Sequence, residues 1–196
     1  MSFRWADASA DEVQWLVDPS QPWQRVVAFG PQVFAAYARV RFIPDPLFEG
    51  QLEADALDEP PLLSEAAQMQ RVVQVLLEFT ASPREGYACV WDGWGEPAGA
   101  AVPQTSRLRL PHREYFTVQG SLVDLVEDWT SLSVAGSPPR AAFIWPADQA
   151  WCIACDVDPH WAGVGGSTEA IQALIGGGTG LDAVTARPGD DQPRYR

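Results

Sequence analysis

The stretch Ala142-Phe143-Ile144-Trp145-Pro146-Ala147-Asp148-Gln149-Ala150-Trp151-Cys152-Ile153-Ala154-Cys155-Asp156-Val157 decides the fold class. Two apolar runs flank Pro-Ala-Asp-Gln, a composition suited to a chain reversal. The stretch reads as an antiparallel pair, Ala142 to Trp145 against Ala150 to Val157. In a strand, residues three apart point to opposite faces. Cys152 and Cys155 therefore belong to different faces and can neither pair nor share a metal.

Working outward, other β signals surround this pair. Arg25 to Phe29 reads as a short β run ended by Gly30, and Val40 to Ile43 as a strand stopped by Pro44. Tyr87 to Trp91, Arg107 to Leu110, Glu114 to Val118 and Leu181 to Thr185 read the same way. Helical signals are interspersed. Asp11 to Val17 reads as a short helix, and Val33, Phe34 and Tyr37 fall on one helical face behind Pro31. Ser64 is a good cap for Glu65 to Phe79, whose stripe is Met69, Val72, Val73, Leu76 and Leu77. Leu122 to Trp129 and Thr168 to Ile175 are further helices, the latter ended by Gly176-Gly177-Gly178. Gly163-Val164-Gly165-Gly166-Ser167 reads as a helix entry with Ser167 as cap. Helices and strands mix without strict alternation. This predicts an α+β fold with a mostly antiparallel sheet and several packed helices, one domain over residues 1–186, and a polar tail over 187–196 that is expected to fray.

Composition bounds the function. With 196 residues and a hydrophobic fraction of 46%, the chain can bury a substantial core. All 13 basic residues are Arg, so no lysine Schiff base, lysine general base or P-loop lysine exists. The net charge of −13 disfavours nucleic acid and anionic membrane as direct ligands and favours a basic protein partner. The N-terminal residues lack the apolar core of a signal peptide, and no run is long enough for a membrane helix. Three Cys without framework spacing point to reduced thiols and a cytoplasmic setting.

Trp151-Cys152-x-x-Cys155 superficially matches the thioredoxin redox string. That chemistry needs a helix N-terminus to lower a thiol pKa, and the flanks here read as strand. There is no second Cys pair for a zinc site. Asp156, Asp158 and His160 fall at i, i+2 and i+4, so a continuing strand would put them on one face for metal binding or acid–base work. Pro159 opposes that continuation. No Gly-x-Ser-x-Gly elbow exists, and no cofactor is implied. The loop from Asp45 to Leu63 carries six acids and no base. Asp45, Glu49, Glu53 and Asp55 on it, with Trp94 on the Trp91-Asp92-Gly93-Trp94 turn, are the candidate contacts for a basic partner. His112 is expected at the surface.

As a set, Tyr87-x-Cys89-x-Trp91-x-Gly93-Trp94-Gly95, Leu110-Pro111-His112-Arg113-Glu114-Tyr115, Trp145-Pro146-Ala147-Asp148-x-Ala150-Trp151-Cys152 and Val164-Gly165-Gly166-Ser167 resemble a group of actinobacterial proteins of unassigned function, over roughly residues 64 to 185. The resemblance implies a cytoplasmic bacterial protein and no particular activity. In size, charge and element order the chain is also similar to the SUKH-type immunity proteins, acidic α+β domains that bind toxins. The leading expectation is a non-catalytic protein-binding module, immunity- or antitoxin-like, covering a basic partner. The alternative is a metal-dependent enzyme or small-ligand binder using Asp156, Asp158 and His160.

Overall fold

Among the described residues, nine strands form one sheet, and every pairing in it is antiparallel. The computed structural model describes residues 3–56, 63–94, 102–132, 141–155, 157 and 159–196. The strands are β1 (Arg4–Trp5), β2 (Ala36–Arg41), β3 (Gly86–Trp91), β4 (Arg107–Leu110), β5 (Arg113–Gly120), β6 (Ala141–Pro146), β7 (Cys152–Ala154), β8 (Trp161–Gly166) and β9 (Ala183–Ala186). Their order is β1-β5-β3-β6-β7-β8-β2-β9, and β4 pairs with the Arg113–Phe116 half of β5. The α-helices are α1 (Asp11–Gln14), α2 (Trp23–Phe29), α3 (Glu65–Leu76), α4 (Leu122–Glu127) and α5 (Thr168–Ile175). This is the α+β architecture expected from the sequence. Among the described residues, no helix is long and apolar enough to cross a membrane.

The sheet has a core on each face. Met69, Val72, Val73 and Leu76 of α3, Leu122 and Leu125 of α4, and Ala170, Ile171 and Leu174 of α5 pack on one side against Ala38, Val40, Ile144, Ile153 and Val164. Val13 of α1 and Val26 and Val27 of α2 pack on the other side with Cys89, Phe143, Trp145, Cys152 and Ala154. The described residues of β6, β7 and β8 are all buried. Burial on both faces explains why the 142–155 stretch reads as continuous apolar runs rather than as alternation. The hairpin forms as read, with Phe143 opposite Ala154 and Ile144 opposite Ile153.

Strand alternation separates the two cysteines as the spacing requires. Cys152 lies in one core and Cys155 in the other. Cys89, Cys152 and Cys155 are all buried. Burial pushes the Cys89 thiol up to about 12 and the Cys152 thiol well above its ordinary value.

Three local readings differ from the structure, for identifiable reasons. Trp23–Phe29 is helical, because burying Val26, Val27 and Phe29 on the sheet overrides their β preference. The chain turns at Gln32 and Val33 and enters β2 at Ala36, with Phe34 and Tyr37 packed edge-to-face on each other instead of lining a helix face. Gly163 to Gly166, read as a helix entry capped by Ser167, instead belongs to a central strand, Trp161–Gly166. Its glycines follow from close packing. A Cβ on Gly163 would sit 2.0 Å from the Ala28 carbonyl oxygen, and one on Gly165 would sit 2.3 Å from the Phe34 ring. Only hydrogen at these positions lets α2 and the following loop press against the sheet. Ser167 does cap α5, accepting from the Ala170 N–H at 3.1 Å. Ser64 caps α3 in the same way, from Ala67 at 3.3 Å.

Candidate functional site

On β2, Ala38 and Val40 face the core of α3 and α5, so Arg39 and Arg41 point to the opposite face. Arg39 pairs across β8 with Gly163, whose missing side chain leaves room, and its guanidinium lies 5.5 Å from the centroid of the Trp161 ring. The chain leaves β2, passes Pro44 and returns Asp45 onto both arginines. Arg39 donates to Asp45 from Nη1 at 2.6 Å and from Nη2 at 2.9 Å. Arg41 donates from Nη1 at 3.0 Å and reaches Asp182 with Nη2 at 2.5 Å. His160 Nε2 lies 3.1 Å from Asp45 Oδ1. The Arg39 side chain is 7% exposed and that of His160 is 2% exposed. Burial pushes the Asp45 carboxyl pKa up, but hydrogen bonds from Arg39, His160 and Arg41 outweigh it and hold that carboxyl well below the ordinary range.

This knot fixes one end of the loop that follows. Gln51, itself buried, fixes its middle. Its Oε1 accepts from the Leu47 N–H at 2.7 Å, its backbone N–H donates to the Phe48 carbonyl at 3.3 Å, and its Nε2 donates to the Asp55 carbonyl at 3.3 Å. A single 3-10 turn, Glu53–Asp55, follows. A loop ordered from inside turns its remaining side chains outward. Leu47 is 89% exposed, Phe48 65% and Leu52 48%. Glu49, Glu53 and Asp55 are exposed between and beside them.

Residues 187–196 do not hang free. Tyr195 donates its hydroxyl to the Pro44 carbonyl at 2.6 Å and sets its ring edge-to-face on His160, with centroids 4.8 Å apart. Arg196 donates its backbone N–H to the Gln51 carbonyl at 3.0 Å. A cavity of about 860 Å³ opens beside this contact, between Trp23 and Phe29 of α2, Trp161, Arg113 and the 188–196 segment.

The residues singled out in the sequence thus have different fates. Asp45 is engaged internally by Arg39, Arg41 and His160. Glu49, Glu53 and Asp55 are exposed on the ordered loop. Trp94 ends a single 3-10 turn, Asp92–Trp94, and its side chain lies outside the described residues. Asp156 and Asp158 also lie outside them. His160 is brought to Asp45, and no group of three His, Cys, Asp or Glu that could hold a metal occurs among the described residues. His112 is exposed, with a positive φ of 62° at the turn between β4 and β5, and its ring lies 5.3 Å from that of Trp23.

Sequence reasoning did not single out Arg39, Arg41, Gln51, Tyr195 or the apolar trio Leu47, Phe48 and Leu52. The i, i+2 arginines of a strand were a usable signal for the first two. Leu47-Phe48 inside an acidic loop was one for the trio. In chemical terms the knot is a latch rather than an acid–base pair. Asp45 already accepts from two guanidinium groups, and Tyr195 covers the His160 ring. No family model, no curated protein and no solved structure matches the chain.

Proposed function

We propose that this protein works by binding a basic protein, and that the loop from Asp45 to Asp55 is its docking surface. The observation that carries this reading is the concentration of exposed apolar side chains. Of the five large hydrophobic residues that stand exposed among the described ones, Leu47, Phe48 and Leu52 fall within this one loop. Exposed apolar groups gathered in one place and rimmed by charge mark interaction sites. Here the rim is Glu49, Glu53 and Asp55, all of one sign, in a chain of net charge −13. The apolar trio would supply the desolvated centre of the contact, and the carboxylates would steer a basic surface and set its register. The internal latch keeps the loop in one shape, which lowers the ordering cost of binding. An immunity- or antitoxin-like role, covering the basic active surface of a toxin, is the form of this reading that the charge and the resemblance favour.

The test starts by capturing proteins on the tagged chain from lysate of its own host at low salt, and then titrates the captured protein against variants. Glu49→Arg/Glu53→Arg/Asp55→Arg should weaken binding at least tenfold and flatten its salt dependence. Leu47→Ser/Phe48→Ser should weaken it comparably without changing the salt dependence. A captured partner indifferent to both sets would overturn the proposal.

A further inference from the structure

We propose that Arg194-Tyr195-Arg196 occupies one edge of the docking site, at Pro44, Gln51 and His160, and leaves Leu47, Phe48 and Leu52 open: that edge takes an extended Arg-aromatic-Arg segment of a basic protein, and the chain's own segment competes with it there. This rests on the docking reading above and adds the chemistry of the bound segment and its control.

The contacts that seat the segment are few and generic. Tyr195 supplies a hydroxyl donor to the Pro44 carbonyl and a ring edge to His160. Arg196 supplies a backbone N–H to the Gln51 carbonyl. Any extended peptide with an aromatic hydroxyl followed by a free amide can make the same set. Both acceptors are backbone carbonyls, Gln51 within the docking loop and Pro44 just before it, next to the Asp45 latch and the Gln51 side-chain contacts. Arg194 and Arg196 are exposed, beside a loop whose exposed charges are all acidic. The two elements feel each other electrostatically: burial raises the Tyr195 hydroxyl pKa, and the charges of Asp45 and Glu53 raise it further. The segment can also leave without disturbing the sheet. Between it and β9, the chain closes on itself through Asp190 N–H to the Arg187 carbonyl and Gln192 Nε2 to the carbonyls of Arg187 and Asp190.

A tethered segment competes at an effective concentration of about millimolar. A separate peptide of the same chemistry should therefore bind the intact chain much more weakly than a variant whose own segment cannot seat. The probe is a fluorescein-labelled peptide, Gln-Pro-Arg-Tyr-Arg, followed by anisotropy at low salt. The full chain is compared with Arg194→Ser/Tyr195→Ser/Arg196→Ser. The triple variant should bind the peptide at least tenfold more tightly than the unaltered chain, and adding Glu53→Arg should remove most of that gain. Circular dichroism monitors the fold. If the triple variant does not fold, Tyr195→Phe, which deletes only the hydroxyl donor, should still bind the peptide more tightly than the unaltered chain. Equal affinity across the series, or no binding to any member, would overturn the inference. Either result would leave the docking reading in place, because the loop variants titrated with captured protein decide that separately with Arg194-Tyr195-Arg196 intact.

Discussion

Replacing Asp45 by asparagine separates a structural carboxylate from a docking one. In the native protein Asp45 accepts from Arg39 at 2.6 and 2.9 Å and from Arg41 at 3.0 Å, and faces His160 at 3.1 Å. An amide of the same shape leaves the Arg39 guanidinium, with a side chain 7% exposed, without a counter-charge. Breaking a buried ion pair from one side costs about 3–5 kcal/mol. Asp45 is 22% exposed and Arg41 keeps Asp182, so the cost falls below that range, to about 2–3 kcal/mol. For a chain of this size that is a fall in Tm of roughly 5–10 °C. Urea unfolding and calorimetry of the two proteins measure it directly. The folded-state pKa of Asp45 is held below its unfolded value of about 3.9. Its contribution is therefore complete above that value and lost as pH falls through the folded pKa. The stability gap between the native protein and the Asp45→Asn variant should begin to close as pH falls below about 4 and go on closing with further acidification. A loss under about 0.5 kcal/mol at pH 7, or a gap that opens on acidification, would refute the reasoning.

Other consequences are equally direct. Gly163→Ala should destabilise by about 2 kcal/mol or more, or prevent folding, since its Cβ would meet the Ala28 carbonyl at 2.0 Å, whereas Gly177→Ala, with nothing within 4 Å, should stay within about 0.5 kcal/mol by denaturant titration. Cys89, Cys152 and Cys155 are buried, and burial raises the Cys89 and Cys152 thiols, so iodoacetamide should label the native protein only as fast as it unfolds; rapid native labelling would contradict this. Leu47→Ser/Phe48→Ser should leave the urea midpoint unchanged, because these side chains are 89% and 65% exposed, and an appreciable loss would mean that they are core rather than contact surface.

Local signals that agree with tertiary demand were legible in the sequence. The helix Thr168–Ile175 forms at the bounds read from its apolar pattern and glycine stop. The Ser64 cap, the α3 stripe and the hairpin about Pro146 to Gln149 also form. What was not legible depended on partners far away in the chain. Trp161–Gly166 is a strand whose glycines answer to Ala28 and Phe34, and nothing in its own composition shows that. Trp23–Phe29 is helical because the sheet receives its Val and Phe side chains. The Asp45–His160 contact joins residues 115 apart and exists only because β2 lies against β8. Reading His160 by its neighbours at i−2 and i−4 could not find that partner. Nor could counting acids distinguish Asp45, turned inward by two arginines, from Glu49, Glu53 and Asp55, left outside.

The most direct test of the docking claim is hydrogen exchange of the full chain with and without the captured basic protein. The account predicts slowed exchange at residues 47–55 on binding and faster exchange at Arg194-Tyr195-Arg196 as that segment is displaced. Protection confined to another face, with residues 47–55 unchanged at saturating partner, would contradict it.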